Sequence, residues 1–158
     1  MMKPSTRDIL FIFAGLFISA AVLSGAQPGP DARLRRDVAY LNGVGSRPRG
    51  EKALAASIAA VFKADTGSIA ALRKDALGYG DIGAAYAVAS RLSGGATESN
   101  LSKAVAAWKR LRSGGWPAVA RGLGVSVRRV ATEVESLSVR PKAASGRTAR
   151  VKEPPQRF

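Results

Sequence analysis

The chain has 158 residues and neither cysteine nor histidine. Lack of cysteine excludes a disulfide framework, a zinc ribbon, an iron–sulfur cluster, a cysteine nucleophile and a lipid-modified Cys anchor. Lack of histidine removes the Ser-His-Asp triad, the histidine general base and ordinary zinc or haem ligation. Aromatic residues are few, with 5 Phe, 3 Tyr and 2 Trp. Acids are scarce as well: 11 Asp and Glu face 25 Lys and Arg, for a formal charge of +14. What is left is a small, Ala-rich, strongly basic chain with room for one domain.

The long apolar run lies near the N-terminus. Lys3 and Arg7 precede Ile9 to Leu23, a stretch of 15 residues without a charge. A bilayer-spanning helix needs roughly 20 apolar residues, so the run has the length of a signal-peptide core. Ser24-Gly25-Ala26 offers small residues for cleavage, which predicts export to the periplasm or beyond. The alternative is an inner-membrane anchor formed by residues 9–26. Removing residues 1–26 leaves a charge of +13 and seven aromatics: Tyr40, Phe62, Tyr79, Tyr86, Trp108, Trp116 and Phe158. A core so thin requires short helices approaching closely across Ala and Gly.

The patterning predicts an all-α fold, a compact bundle of about five to seven short helices. Residues 27–50 read as a short helix, capped by Asp31 with Ala32, Leu34, Val38 and Leu41 partly inward. Asn42-Gly43 closes that helix and a basic linker follows from Gly43 to Gly50. Residues 51–138 read as the main helical domain. Leu54, Ile58, Val61 and Phe62 mark a helix from about Glu51 to Asp65, stopped by Gly67. Ser68 caps the next, with Ile69, Leu72 and Ala76 inward and an end at Gly78. Asp81 then sits in the first turn of a helix carrying Ile82, Ala85, Tyr86 and Ala89 on one face, before Gly94-Gly95. Leu101, Val105, Trp108 and Leu111 stripe a helix from about Glu98 to Ser113, broken by Gly114-Gly115. Pro117 opens a short helix through Leu123, and Ser126 caps a last one with Val127, Val130, Val134 and Leu137. Residues 139–158 hold six basic residues, one acid and three Pro, a composition that predicts a disordered basic tail.

Within the main domain there is a near-repeat. Ile69-Ala-Ala-Leu72-Arg73 resembles Val105-Ala-Ala-Trp108-Lys109, and a Gly-rich break follows each. Gly78-Tyr79-Gly80-Asp81-Ile82 then answers to Gly114-Gly115-Trp116-Pro117-Ala118-Val119, which makes Tyr79 and Trp116 equivalent wedges at two elbows. Their simplest role is aromatic packing.

Gly78-Tyr79-Gly80-Asp81-Ile82, with Gly115-Trp116, Val119-Ala120 and Leu123-Gly124-Val125 later, resembles a group of uncharacterised exported bacterial proteins. Those carry paired Gly-aromatic-x-[acid]-Ile motifs. The likeness covers about residues 68–130, and the second copy departs from it at Pro117 and Ala118. It implies a secreted α-helical domain of unknown activity, with no catalytic residue.

The second elbow also has the spacing of a helix-turn-helix at residues 117–137. Ala120 allows close approach, Gly124 supplies the left-handed turn, and Val130 packs beneath the second helix. Ser126, Arg128, Arg129 and Thr132 would face outward. From Val105 to Ala131 there are six basic residues and no acid, namely Lys109, Arg110, Arg112, Arg121, Arg128 and Arg129. These six are the candidate polyanion-binding residues. Export argues against an operator as the target, and two short helices also pack this way without any ligand.

No catalytic constellation emerges from the rest. Glu133 and Glu135 are two apart and point to different sides of a helix. Asp75 and Asp81 flank the break at Gly78, where capping accounts for Asp81 more simply than a carboxylate pair. There is no EF-hand loop, P-loop, dinucleotide fingerprint or Ser-x-x-Lys. The expected function is therefore that of a non-enzymatic, exported interaction module without metal or cofactor. Its basic surface would bind an acidic partner: envelope polymer, anionic lipid or acidic protein. The alternative is nucleic-acid binding through the helix-turn-helix-like elbow.

Overall fold

Proline sets where the first two helices begin. The computed structural model describes residues 27–139, so the expected signal segment and the basic tail beyond Val139 lie outside the described residues. Pro30 stands in the first turn of α1 (Pro30–Gly45) and Pro48 in the first turn of α2 (Pro48–Phe62). Neither needs an intrahelical N–H at that position, so the ring costs nothing there. The expected basic linker from Gly43 to Gly50 is thereby corrected. Only Ser46 and Arg47 separate the two helices, and α1 runs on through Asn42 and Gly43. Asp31 is a first-turn residue rather than the cap, which is Gly29, and Ala32 is exposed rather than inward.

The next boundaries shift for equally local reasons. Lys63 ends α2 in the left-handed conformation, and the Asp65 carboxylate caps α3 (Thr66–Lys74) by accepting from the Ser68 amide at 2.9 Å. Gly67 and Ser68 are thus inside the first turn rather than a stop and a cap. α3 ends before Asp75, and Ala76, expected inward, is exposed with φ of 62°. Thr97 caps α5 (Glu98–Arg110) by accepting from the Asn100 amide. The buried Asn100 side chain donates to the carbonyls of Ser93 and Gly95, each at 2.8 Å, which closes the loop ahead of α5. A 3-10 turn (Arg112–Gly114) follows, so α5 is shorter than its periodicity suggested. α6 (Gly115–Gly122) starts two residues before Pro117, with Gly115 at φ of 64° making the corner. α7 (Val127–Val139) buries Val127, Val130, Val134 and Leu137, the four positions of its stripe.

α4 (Tyr79–Ala89) is the hub of the bundle. Its residues from Ile82 to Ala89 are all buried, not one face of them. Small residues on every side leave no polar face, and a helix apolar all round belongs in the middle. α1, α2, α5 and α7 pack around it, with α3 and α6 completing the shell. α1 and α7 lie side by side and run in the same direction. Pro30 is level with Ala131 and Thr132, and one turn further on Arg33 donates to Glu135 at 2.6 Å. α6 runs the opposite way along α1: Arg121 near its end pairs with Asp31, and Gly114 just before its start accepts from Arg35. The fold is all-α among the described residues, with seven α-helices and no strand. No described helix is long and apolar enough to cross a membrane.

Candidate binding surface

A polar column connects the hub to the surface. α4 begins without a side-chain cap of its own, because Gly78 occupies the N-cap position. Asn42 of α1 supplies the cap instead, its Oδ1 accepting from the Gly80 amide at 2.7 Å and more weakly from the Asp81 amide at 3.4 Å. Its Nδ2 donates to one oxygen of the Asp81 carboxylate at 3.0 Å. The other oxygen accepts from the indole Nε1 of Trp116 at 2.8 Å. Asp81 is therefore a bridge between α1, α4 and α6, beyond the simple capping role its position suggested. Trp116 stacks on the half-buried Trp108, ring centroids 6.1 Å apart, and the Arg112 guanidinium lies 4.8 Å from the Trp108 centroid.

Tyr79, the first residue of α4, is buried like Trp116 and donates to the Glu51 carboxylate at 3.2 Å beneath the Arg73 guanidinium. Burial raises its phenol pKa above the ordinary 10.0, helped by Glu51 and opposed by Arg73. Tyr86, stacked on Phe62, is raised by burial and by the charge of Asp65. A phenol whose pKa is higher folded than unfolded adds stability that is full below pH 10 and is lost as pH climbs through the folded value. Thermal midpoints followed from neutral to alkaline pH should stay level with respect to these groups up to about pH 10 and then fall. Tyr86→Phe should flatten that decline; an unchanged alkaline limb would remove Tyr86 as its source.

The six candidate cations do not form one patch. Lys109 turns toward α3, its Nζ 4.0 Å from the Asp75 carboxylate. Those two line a groove of about 360 Å³ between α3 and α5, floored by Leu72, Leu101 and Val105 and rimmed also by Glu98. Arg112 lies on the Trp108 face, and Arg121 pairs with Asp31. Arg128 lines a hollow of about 340 Å³ beside the start of α1, together with Gln27, Arg33 and Thr132. Arg129 stands one turn before Glu133, whose carboxylate accepts from Ser90 and Arg91. Arg110 is exposed at the end of α5.

Two arginines of α1 join this surface that the sequence did not single out. Arg35 Nη2 donates to the Gly114 carbonyl at 2.6 Å, and Arg33 pairs with Glu135. Leu111 also departs from expectation. It follows the last residue of α5, leaves the inward stripe and is 37% exposed. A methyl of Leu111 lies against Gly122, since a Cβ added there would meet it at 3.2 Å. Outward-facing Ala118, Arg121 and Gly122 of α6 thus have Arg35 of α1 near the start of the helix and Leu111 against its last residue.

Glu133 and Glu135 point to different helices, α4 and α1, and are no acid/base pair. Among the described residues no three carboxylates gather as a metal site. Comparison with protein-family models, with curated proteins and with solved structures finds no match to this chain.

Proposed function

We propose that the chain is an exported, non-enzymatic helical module that binds acidic partners through its surface arginines. One observation carries the reading: Arg35, Arg112 and Arg128 are exposed and have no carboxylate partner among the described residues. Unneutralised guanidiniums on a rigid scaffold attract polyanions and release counterions on binding. The acids that surround them are already engaged, Asp31 by Arg121, Glu133 by Arg91 and Glu135 by Arg33.

The α6–turn–α7 segment supports a second reading, nucleic-acid binding. Gly124 makes the turn at φ of 70°, and Ala120 and Val130 are buried between the helices. The start of α1 weighs against it. Gln27, Pro28, Gly29 and Pro30 lie beside Arg128 and Thr132, in the space a DNA groove would have to occupy.

Salt-titrated retention on heparin and on mixed-sequence duplex DNA tests both. Binding to both, weakening steeply with salt, is the expected result. Arg128→Ala with Arg129→Ala should weaken each by a similar factor, on the order of tenfold, since about two ionic contacts are lost. A preference for one DNA sequence that this pair abolishes would favour nucleic-acid recognition. Absence of retention at low salt would end the polyanion reading.

A further inference from the structure

We propose that the acidic partner is an anionic bilayer surface, met by the edge formed by α6, Arg35, Leu111 and Arg112. This rests on the polyanion reading above and names its ligand. Three features of the edge point to lipid rather than to a polymer chain.

First, small residues form the crest of the edge. Ala118 and Gly122 carry no large side chain, and the exposed Arg35 and Arg121 stand beside them, Arg35 on the Gly114 carbonyl, with the exposed Arg112 just before Gly114 in the chain. A polysaccharide or nucleic acid is a strand and is better held by a channel, whereas a headgroup layer is a plane.

Second, the charges are interleaved with apolar side chains that water covers poorly. Among the described residues Leu111 and Tyr40 are the exposed large hydrophobic side chains, and Trp108 is half-buried under Arg112. Tryptophan beside arginine is the composition of a membrane–water interface, where the ring sits at headgroup depth and the guanidinium meets phosphate. Arg121 is paired with Asp31, but both are substantially exposed, so the pair contributes little energy and exchanging it for a phosphate costs little.

Third, the apolar run of the sequence joins the described chain at this end. Ile9 to Leu23 carries no charge, and six residues, Ser24 to Gly29, connect it to α1. Six residues span at most about 20 Å. While the apolar run is attached, the start of α1 and the adjacent Arg121 stay within that reach of it. α1 is about 24 Å long at 1.5 Å per residue, so its other end, with Arg47, Arg49 and Lys52 of the α2 start, lies about that far along the helix from the point where the run is joined. That separation exceeds the Debye length of about 10 Å, beyond which exposed charges are largely screened.

Of the two tryptophans of the chain, Trp108 borders this edge half-buried under Arg112 and Trp116 is stacked behind it, so intrinsic fluorescence reports on the edge mainly through Trp108. The full chain is reconstituted into vesicles whose phosphatidylcholine carries bromine near the headgroup end of the acyl chain, with and without phosphatidylglycerol. Tryptophan quenching is expected in the phosphatidylglycerol vesicles and its near-complete loss in pure phosphatidylcholine. The triple variant Arg35→Gln, Arg112→Gln, Arg121→Gln should lower quenching to the phosphatidylcholine level. Three charges near an anionic surface correspond to about a hundredfold in affinity. The triple Arg47→Gln, Arg49→Gln, Lys52→Gln removes the same charge and should quench like the unaltered chain. Equal emission in the two lipids overturns the proposal, and that comparison needs no variant to fold. Equal loss in both triples overturns the edge as the docking surface. Heparin retention of the same preparation separates the two levels: retention without quenching sinks the bilayer and spares the polyanion reading, and neither result sinks both.

Discussion

Gly80→Ala is expected to destabilise the fold by about 3 kcal/mol, the upper end of the range for overpacked cores. A helix interior normally prefers alanine to glycine by about 1 kcal/mol, so the sign itself is the test. Gly80 lies where α4 crosses α1. A Cβ there would fall well under 3.0 Å from the Val38 carbonyl oxygen, and at 3.0 Å from Asn42 Oδ1. The first obstacle is backbone, which cannot rotate away, and the second is the atom that caps α4. Relief requires the two helices to part, and α4 is packed on every side. Gly43→Ala makes the matching comparison. It lies in α1, and an added Cβ meets nothing within 4 Å. That change should stabilise by about 1 kcal/mol through helix propensity alone. Thermal melts of the two variants should move in opposite directions, Gly80→Ala downward by on the order of 12 °C or more. A Gly80→Ala midpoint at or above the unaltered one would mean that the α1–α4 approach is looser than the structure has it.

That crossing also shows where sequence reading stops. The stripes of α2, α5 and α7 were legible because each helix has one apolar face, and spacing alone identifies it. Leu54, Ile58, Leu101, Val105, Val130 and Val134 are buried as their spacing predicts. α4 defeats the same rule. Its Gly and Ala positions carry no periodic contrast, so a face drawn through Ile82, Ala85, Tyr86 and Ala89 missed that the opposite side is buried too. Caps were legible only when local. Asn42 looked like the stop of its own helix, whereas it caps α4 from 38 residues away. Nothing in its neighbourhood signals that, because the signal is a free amide pair on another helix. The surface followed the same division. The six cations between Val105 and Ala131 were visible as a run, and the fold scatters them over several faces. Arg35 was invisible because its significance lies in the Gly114 carbonyl, 79 residues on.

Asp81→Ala should be the other severe substitution, at about 3 kcal/mol, for a reason of chemistry rather than space. The carboxylate accepts from Trp116 Nε1 at 2.8 Å and from Asn42 Nδ2 at 3.0 Å. Trp116 is only 3% exposed, so water cannot readily replace the lost acceptor. An unsatisfied buried donor costs about 1–3 kcal/mol, and a hydrogen bond to a charged group contributes about 1.5–3 kcal/mol. A double-mutant cycle isolates the indole's share. In a Trp116→Phe background the donor is gone, and Asp81→Ala should cost about 1–2 kcal/mol less than in the unaltered chain. Additive losses would show that Asp81 acts through α1 and α4 and that the bridge to α6 is idle. The consequence reaches the surface through packing. Trp116 supports Trp108, and Trp108 carries Arg112, so loosening the indole should blur the exposed edge without touching any of its arginines. Asp81→Ala at a temperature where it remains folded should therefore lower heparin retention by a few-fold, less than removal of the guanidinium itself, while the removal of one acid would by charge alone raise it. Retention that rises would separate the buried column from the binding edge.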